Sequence, residues 1–295
     1  MSGNEWLTER FEASRGRLRA VAYRILGSLS EADDAVQESW LRVSHADASG
    51  VENLEGWFTT VLARVCLNIL RSQKSRREES LEVEASKPGA VVEAKSMDPE
   101  NEAVLAESVG LALLVVLERL APAERVAFVL HDVFDIAFED IAAILGRSSA
   151  AARQLASRAR RRVRGASRGS GVALSEQRET VEAFLAALRS GDIDGLLAVL
   201  DPDVVRRADR FAVPLPDARE LHGARRVAEE VLKYRDVARV ARPIQVNGAG
   251  GIVVAPAGHL RTVISCTVEG HRITKMEVIA DPERLRRLNL AVFPD

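Results

Sequence analysis

The chain has 295 residues, 47% of them hydrophobic, and a formal net charge of −2. That length suits two or three domains with real cores, and the near-neutral balance excludes a protein that is basic throughout. Cys66 and Cys266 lie far apart in apolar runs, which argues against a disulfide framework or a metal site and for two small core residues in a reducing compartment. No apolar run is long enough to span a bilayer. The opening residues MSGNEWLTERFEASRGRLR are charged and amphipathic rather than a secretory signal, so the expected location is the cytoplasm.

Three amphipathic helices open the chain. The first runs from about Glu5 to Leu26 with Leu18, Val21, Ala22 and Ile25 on one face, and Gly27 ends it. Ser30 is placed to cap the second, with Asp33 as its capping-box partner, and Ala35, Val36, Trp40, Leu41 and Val43 form the apolar stripe. The third spans about 54–77 and carries Trp57, Phe58, Val61, Leu62, Val65 and Leu70 inward. Residues 78–98 lose periodicity, gain acid and contain Pro88 and Gly89, which marks a linker. Asp98-Pro99-Glu100 then starts a helix over about 99–119, and Ala121-Pro122 separates it from another at 123–134.

Between Phe138 and Arg164 the chain reads FEDIAAILGRSSAAARQLASRARRRVR. A short apolar-periodic helix ends at Gly146, a residue that tolerates the left-handed backbone of a sharp turn. Ser148 or Ser149 can cap the next helix. In that helix Ala152, Leu155, Ala156, Ala159 and Val163 face one way, while Arg153, Arg158, Arg161 and Arg162 face the other. From Gly146 to Arg168 there are eight arginines and no acid. This is the pattern of a helix-turn-helix whose second helix enters a DNA major groove. A second basic cluster (Arg71, Lys74, Arg76, Arg77) lies across the acidic stretch, as suits a protein that touches nucleic acid at two places.

A short flexible stretch, GASRGSGVA at 165–173, precedes a change of class. Helices are expected at 175–190, 192–200 and 223–234, followed by strands at 244–246, 251–255, 259–268 and 272–278. Residues 248–251 and Glu269-Gly270 are the expected hairpin turns. Helices first and an antiparallel sheet after make an α+β domain.

These parts in this order resemble a bacterial extracytoplasmic-function sigma factor. SEADDAVQESWLRV is similar to the polymerase-binding segment of sigma region 2, and EGWFTTVLARVCLNILRSQ to the part that melts and reads the downstream promoter element. LERLAPAERVAFVLHDVFDIAFEDIAAILGRSSAAARQLASRARRRVR resembles region 4, which reads the upstream element. The last domain resembles a SnoaL-like member of the NTF2 superfamily, a curved sheet wrapped by helices into a cone. The resemblance implies a multidomain chain: two all-α helical domains at 1–77 and 99–168, an acidic linker at 78–98, a linker at 169–174 and an α+β cone at 175–295. Some related extensions carry a DGGG-type segment and an NPDKL-type motif. Here ADRFA (208–212) stands at the first, and Asp281-Pro282-Glu283-Arg284-Leu285 approximates the second.

The resemblance further implies core RNA polymerase and promoter DNA as partners, no membrane, no cofactor, no metal, and a monomer when free. Asp33, Asp34, Gln37 and Glu38 would meet basic side chains of the polymerase. Arg64, Asn68 and Arg71, spaced to share one helical face, would hold bases and phosphate of the opened strand. Arg147, Ser149, Arg153 and Gln154 stand at the start of the recognition helix, where Arg153 and Gln154 reach base edges, and Arg158, Arg161, Arg162 and Arg164 would grip phosphates. Two other readings stay open: a helix-turn-helix repressor with a ligand-sensing cone, and a cyclase or isomerase whose acid–base candidates are Asp203, Asp209, His222 and His259. A small ligand in the cone is compatible with each.

Overall fold

The computed structural model describes residues 3–48, 50–80, 110–165, 171–215 and 218–294. Most of the acidic linker expected at 78–98, the first half of the helix expected at 99–119 and residues 166–170 lie outside these. Two compact units emerge, one from residues 1–87 and 117–160 and the other from 88–116 and 161–295.

The first unit is helical. Helices α1 (Gly3–Leu26), α2 (Leu29–Ser44) and α3 (Leu54–Ser80) pack on one another. Phe11 and Phe58 are fully buried and meet edge-on at 5.2 Å, and Trp40 packs on Phe11 at 5.0 Å. Each such ring contributes about 1.5–3 kcal/mol by leaving water. Trp57, expected in the core, is half-buried against Phe58. Ser28, not Ser30, caps α2: its hydroxyl accepts from the Glu31 amide. Ser30 lies inside the helix and Asp33 turns outward to Arg19, so the capping box does not form.

Helix α4 (Leu111–Glu118) is followed by α5 (Pro122–Phe128), which opens with proline behind an extended Ala121. The helix expected to run on to 134 instead passes into a π turn at Val129–Val133. That turn presents His131 against Phe138, with ring centroids 3.9 Å apart, and Asp132 toward Arg160. Helices α6 (Phe138–Leu145) and α7 (Ser149–Arg164) complete the series.

The second unit is α+β. Helices α8 (Gly171–Ser190), α9 (Ile193–Val199) and α10 (Ala224–Val231) cover a seven-stranded sheet. Its strands are β1 (Leu200–Ala208), β2 (Glu220–His222), β3 (Ala241–Val246), β4 (Ala249–Val254), β5 (Thr262–Glu269), β6 (Arg272–Ile279) and β7 (Leu290–Ala291). The order is β2-β1-β6-β5-β4-β3-β7. The antiparallel sheet expected from sequence is in fact mixed, because β1 pairs parallel with β6. Strands β1 and β2 were not foreseen: Asp201, Pro202 and Asp203 break the β1 pattern, and only Val204, Arg206 and Ala208 alternate after them. The first hairpin turns at Asn247-Gly248, with φ of 54° and 86°, rather than at 248–251, since Gly250 and Gly251 belong to β4. Gly251 is required there, because a Cβ would stand 2.6 Å from the Ile264 carbonyl oxygen. The second hairpin turns at Gly270-His271.

Val204, Leu221, Ile252, Cys266 and Met276 share the helix-covered face and pack against Val181, Phe184, Leu185, Leu196 and Val227. Helix α11 (Pro282–Arg287) follows β6 and is capped by Asp281, which accepts from the Glu283 and Arg284 amides.

Both cysteines are buried and free, Cys66 in α3 and Cys266 in β5, and burial pushes each thiol up to about 12 from the ordinary 9.0. Stability carried by the neutral thiols is therefore present in full below pH 9 and is lost as pH climbs toward 12. The native chain should resist a thiol-specific reagent at mildly alkaline pH and label at both positions in urea. Fast labelling of either residue in the native state would contradict its place in the core.

Candidate nucleic-acid interface

The turn between α6 and α7 has the geometry its sequence calls for. Gly146 is left-handed, with φ of 64°, and its amide bonds back to the Ala142 carbonyl. Of the two serines considered as caps, Ser148 takes the role, accepting from the Ala151 amide at 3.2 Å. Ser149 is the first residue of α7. The inward face of α7 is closed by Ala152, Leu155, Ala156, Ala159 and Val163, all buried. Alanines stand at three of these five positions.

The outward face is charged but not free throughout. The side chains of Arg147, Gln154 and Arg161 are exposed and make no hydrogen bond or ion pair among the described residues. Arg162 and Arg164 are exposed as well. Arg153 donates to Glu139 at 3.1 Å and lies 5.4 Å over the Phe138 ring, which poises its guanidinium beside the turn. Arg158, expected to grip phosphate, donates to Glu124 at 3.1 Å, and that carboxylate is 7% exposed. Arg160, which was not among the expected contacts, pairs with Asp132 of the π turn. The stripe thus divides into arginines tied to acids of the preceding helices and arginines that face solvent. The signal was present in the sequence as Glu124, Asp132 and Glu139, but only the fold shows which arginine each one meets.

Arg64, Asn68 and Arg71 are exposed along one side of α3. Arg64 also donates to the Ala143 carbonyl of α6 at 3.1 Å, so one of the three is engaged within the helical unit itself. Arg24 lies 5.1 Å over the Phe134 ring in the same unit. On α2, Asp33, Asp34, Gln37 and Glu38 are all exposed, opposite the buried Ala32, Ala35, Val36, Ser39 and Val43. Asp33 is held by Arg19 through two hydrogen bonds and Glu38 by Arg42, whereas the side chains of Asp34 and Gln37 make no hydrogen bond or ion pair among the described residues. The four stand as one acidic and amide surface, a geometry suited to charge-assisted docking.

The acid–base candidates of the C-terminal unit do not converge. Asp203 and His259 are exposed, and His222 is exposed and bonded to Glu220. Asp209 is committed to structure: its Oδ1 accepts from the Phe211 and Ala212 amides, its Oδ2 from those of Ala280 and Asp281, and Arg284 stands 3.9 Å away. The ADRFA segment and the start of the DPERL segment are therefore bound to each other through one carboxylate. Among the described residues no three His, Cys, Asp or Glu side chains gather as a metal site, and no helix is long and apolar enough to cross a membrane.

Residues 10–76 match the Sigma-70 region 2 family and residues 110–163 match Sigma-70, region 4. A probable ECF RNA polymerase sigma factor, SigI of Mycobacterium tuberculosis, is 34% identical over 97% of this chain and 97% of its own. The ECF RNA polymerase sigma factor SigJ of the same organism is 40% identical over 75% of this chain and 71% of its own. The crystal structure of SigJ covers 94% of this chain and 98% of that one at 30% identity, with a TM-score of 0.46. The chain therefore belongs to the extracytoplasmic-function family of RNA polymerase sigma factors.

Proposed function

We propose that this sigma factor binds core RNA polymerase through the α2 surface of Asp33, Asp34, Gln37 and Glu38 and reads the upstream promoter element with α7. The observation that carries the reading is the exposed set Arg147, Arg153, Gln154 and Arg161 arrayed from a left-handed turn, with no acid along α7 to repel a phosphate. Arg153 and Gln154 contact base edges, and Arg161, Arg162 and Arg164 hold phosphates. Arg64, Asn68 and Arg71 meet the opened downstream strand, which requires Arg64 to give up the Ala143 carbonyl. Such a protein works in the cytoplasm, where the polymerase is.

The C-terminal unit is a regulator rather than an enzyme. Its most buried carboxylate candidate already accepts four backbone N–H bonds, two on each oxygen, which commits those oxygens to structure rather than to a substrate. The last turn of α7 belongs to that same unit: the Val292 amide donates to the Val163 carbonyl at 2.8 Å. Gly165, at φ of 73°, sits where a Cβ would meet Ala291 at 2.8 Å. Displacement of strand β7 is thereby felt at the end of the recognition helix. Gly165→Ala disturbs this junction while leaving every proposed DNA contact in place, and it should change transcript output across a promoter panel. An unchanged panel would remove the junction from the regulatory account.

Transcription in vitro from a genomic library with purified core enzyme tests the main reading. Promoter-specific transcripts should require the full chain, and tight binding of DNA by the chain alone would favour a repressor instead. Arg153→Ala should relax promoter choice by about 1–3 kcal/mol at one base position. Arg161→Ala should weaken binding evenly and flatten the salt slope by about one unit. Identical profiles for the two would undo the division between base and phosphate contacts.

Asp34→Lys reverses an exposed charge whose side chain has no partner among the described residues. Its association with core enzyme should weaken by about 1 kcal/mol, roughly fivefold, at low salt and by less as salt rises. Affinity measured across a salt series checks both the size and the trend.

A further inference from the structure

We propose that four arginines of the C-terminal unit, Arg189, Arg235, Arg239 and Arg242, grip the phosphate backbone of duplex DNA beside the segment read by α7. The choice of DNA as the polyanion rests on the promoter reading above, whereas the cluster is built wholly within the C-terminal unit.

From Lys233 to Arg242 the chain reads KYRDVARVAR, four cations against the single acid Asp236. This segment passes through the 3-10 turn Val237–Val240 into β3, and the turn packs on α8, whose last turn carries Arg189. Two of the arginines are fixed in place by carbonyls. Arg189 donates through Nε to Ala238 at 3.0 Å and through Nη2 to Ala241 at 2.7 Å. Arg242 donates through Nη1 to Arg239 at 2.7 Å and to the same Ala241 oxygen at 2.9 Å. The two guanidinium groups therefore meet on one oxygen, within the length of two hydrogen bonds of each other. Arg235 reaches toward the same helix end, its Nη1 4.0 Å from where a Cβ on Gly191 would lie.

Cations gathered in this way repel one another, and the protein supplies little to offset them. No carboxylate of the described residues lies within ion-pair distance of any of the four. Glu230 is engaged by Lys233 at 2.6 Å, and Asp192 accepts from the Gly195 amide at the start of α9. Burial, and after it the Arg242 charge, pulls the Arg189 pKa below the ordinary guanidinium value. A structural role explains Arg189, which ties the turn to α8, and one nitrogen of Arg242. It does not explain Arg235 and Arg239, whose side chains are exposed and make no hydrogen bond or ion pair among the described residues. Always charged and forked, such groups suit phosphate oxygens.

The same unit already holds cations that face DNA. The last turn of α7, with exposed Arg161, Arg162 and Arg164, belongs to it, and the Val163 carbonyl there accepts from the Val292 amide. Ala291, next to Val292, pairs with Gln245 of β3, and Arg242 stands three residues back along that strand, about 10 Å. Duplex DNA carries one negative charge for about every 1.7 Å of its axis, so a helix held at α7 presents many phosphates over such a span. An array of separate guanidinium groups fits a repeating polyanion better than one compact anion. Contacts of this kind position the duplex and carry no sequence information.

The test titrates the full chain, alone and with core enzyme, on a promoter duplex and on a scrambled duplex of equal length across a salt series. Arg235→Gln combined with Arg239→Gln should weaken binding about tenfold at low salt and lower the salt slope by about two units on both duplexes, each single substitution giving about half the slope change. Arg235→Lys combined with Arg239→Lys keeps the charge and should keep the slope, which separates lost charge from lost folding. Arg272→Gln removes an exposed arginine at the start of β6 and should leave the slope unchanged. Arg153→Ala should act on the promoter duplex alone; if it does not while the double glutamine variant behaves as expected, the α7 assignment fails and this one stands. An unchanged slope for the double glutamine variant, an effect confined to the promoter sequence, an equal effect of Arg272→Gln, or a larger effect on single-stranded RNA of the same length would each overturn the proposal.

Discussion

A helix with six arginines and no acid over sixteen residues is steadied when its charge is answered from elsewhere. Repulsion along such a stripe costs free energy in the absence of DNA, because like charges three and four residues apart face one another. The fold meets this by placing Glu124, Asp132 and Glu139, from the two preceding helical segments, against Arg158, Arg160 and Arg153. The three pairs are not equivalent. The Arg153–Glu139 pair is exposed on both sides, so it costs little to exchange for a nucleic-acid contact. Glu124 is nearly buried, and loss of Arg158 would strip a cation from a desolvated carboxylate. Arg158 and Arg160 are therefore better suited to holding the helix in place than to reaching for phosphate, while Arg153 is held in readiness.

Much of this was legible in the chain itself. The left-handed turn at Gly146, the apolar face of α7 and the exposed acids of α2 follow from local spacing, because each depends on residues within one or two turns of helix. What sequence could not supply was long-range pairing. Nothing local says that Asp132 belongs to Arg160, since the π turn that aims it arises from packing rather than from a helix-breaking residue. The misplaced cap has a similar origin. Ser28 and Ser30 are equally good caps by type, and the choice fell to Ser28, directly after the left-handed Gly27.

In the sheet the same limit appears as a mistaken topology. Hairpin partners such as β5 and β6 announce themselves through a short turn, but β1 reaches β6 across some 65 residues and in parallel. Its polar first half, with Pro202 between two aspartates, hid the strand altogether. Asp209 was open to misreading for the opposite reason. An aspartate beside a short loop reads as a catalytic candidate until its four backbone donors are seen, two of them more than seventy residues away.

Asp209 and Arg206 of the C-terminal unit, three positions apart in the chain, show how unequally two buried charges can be compensated. Asp209 and Arg206 are both charged groups drawn out of water by the same strand and the turn that follows it. The carboxylate is compensated in full by the protein, with both oxygens doubly bonded, so it ties the end of β1 to the end of β6 and has nothing left to offer a ligand. The guanidinium is compensated by one carbonyl.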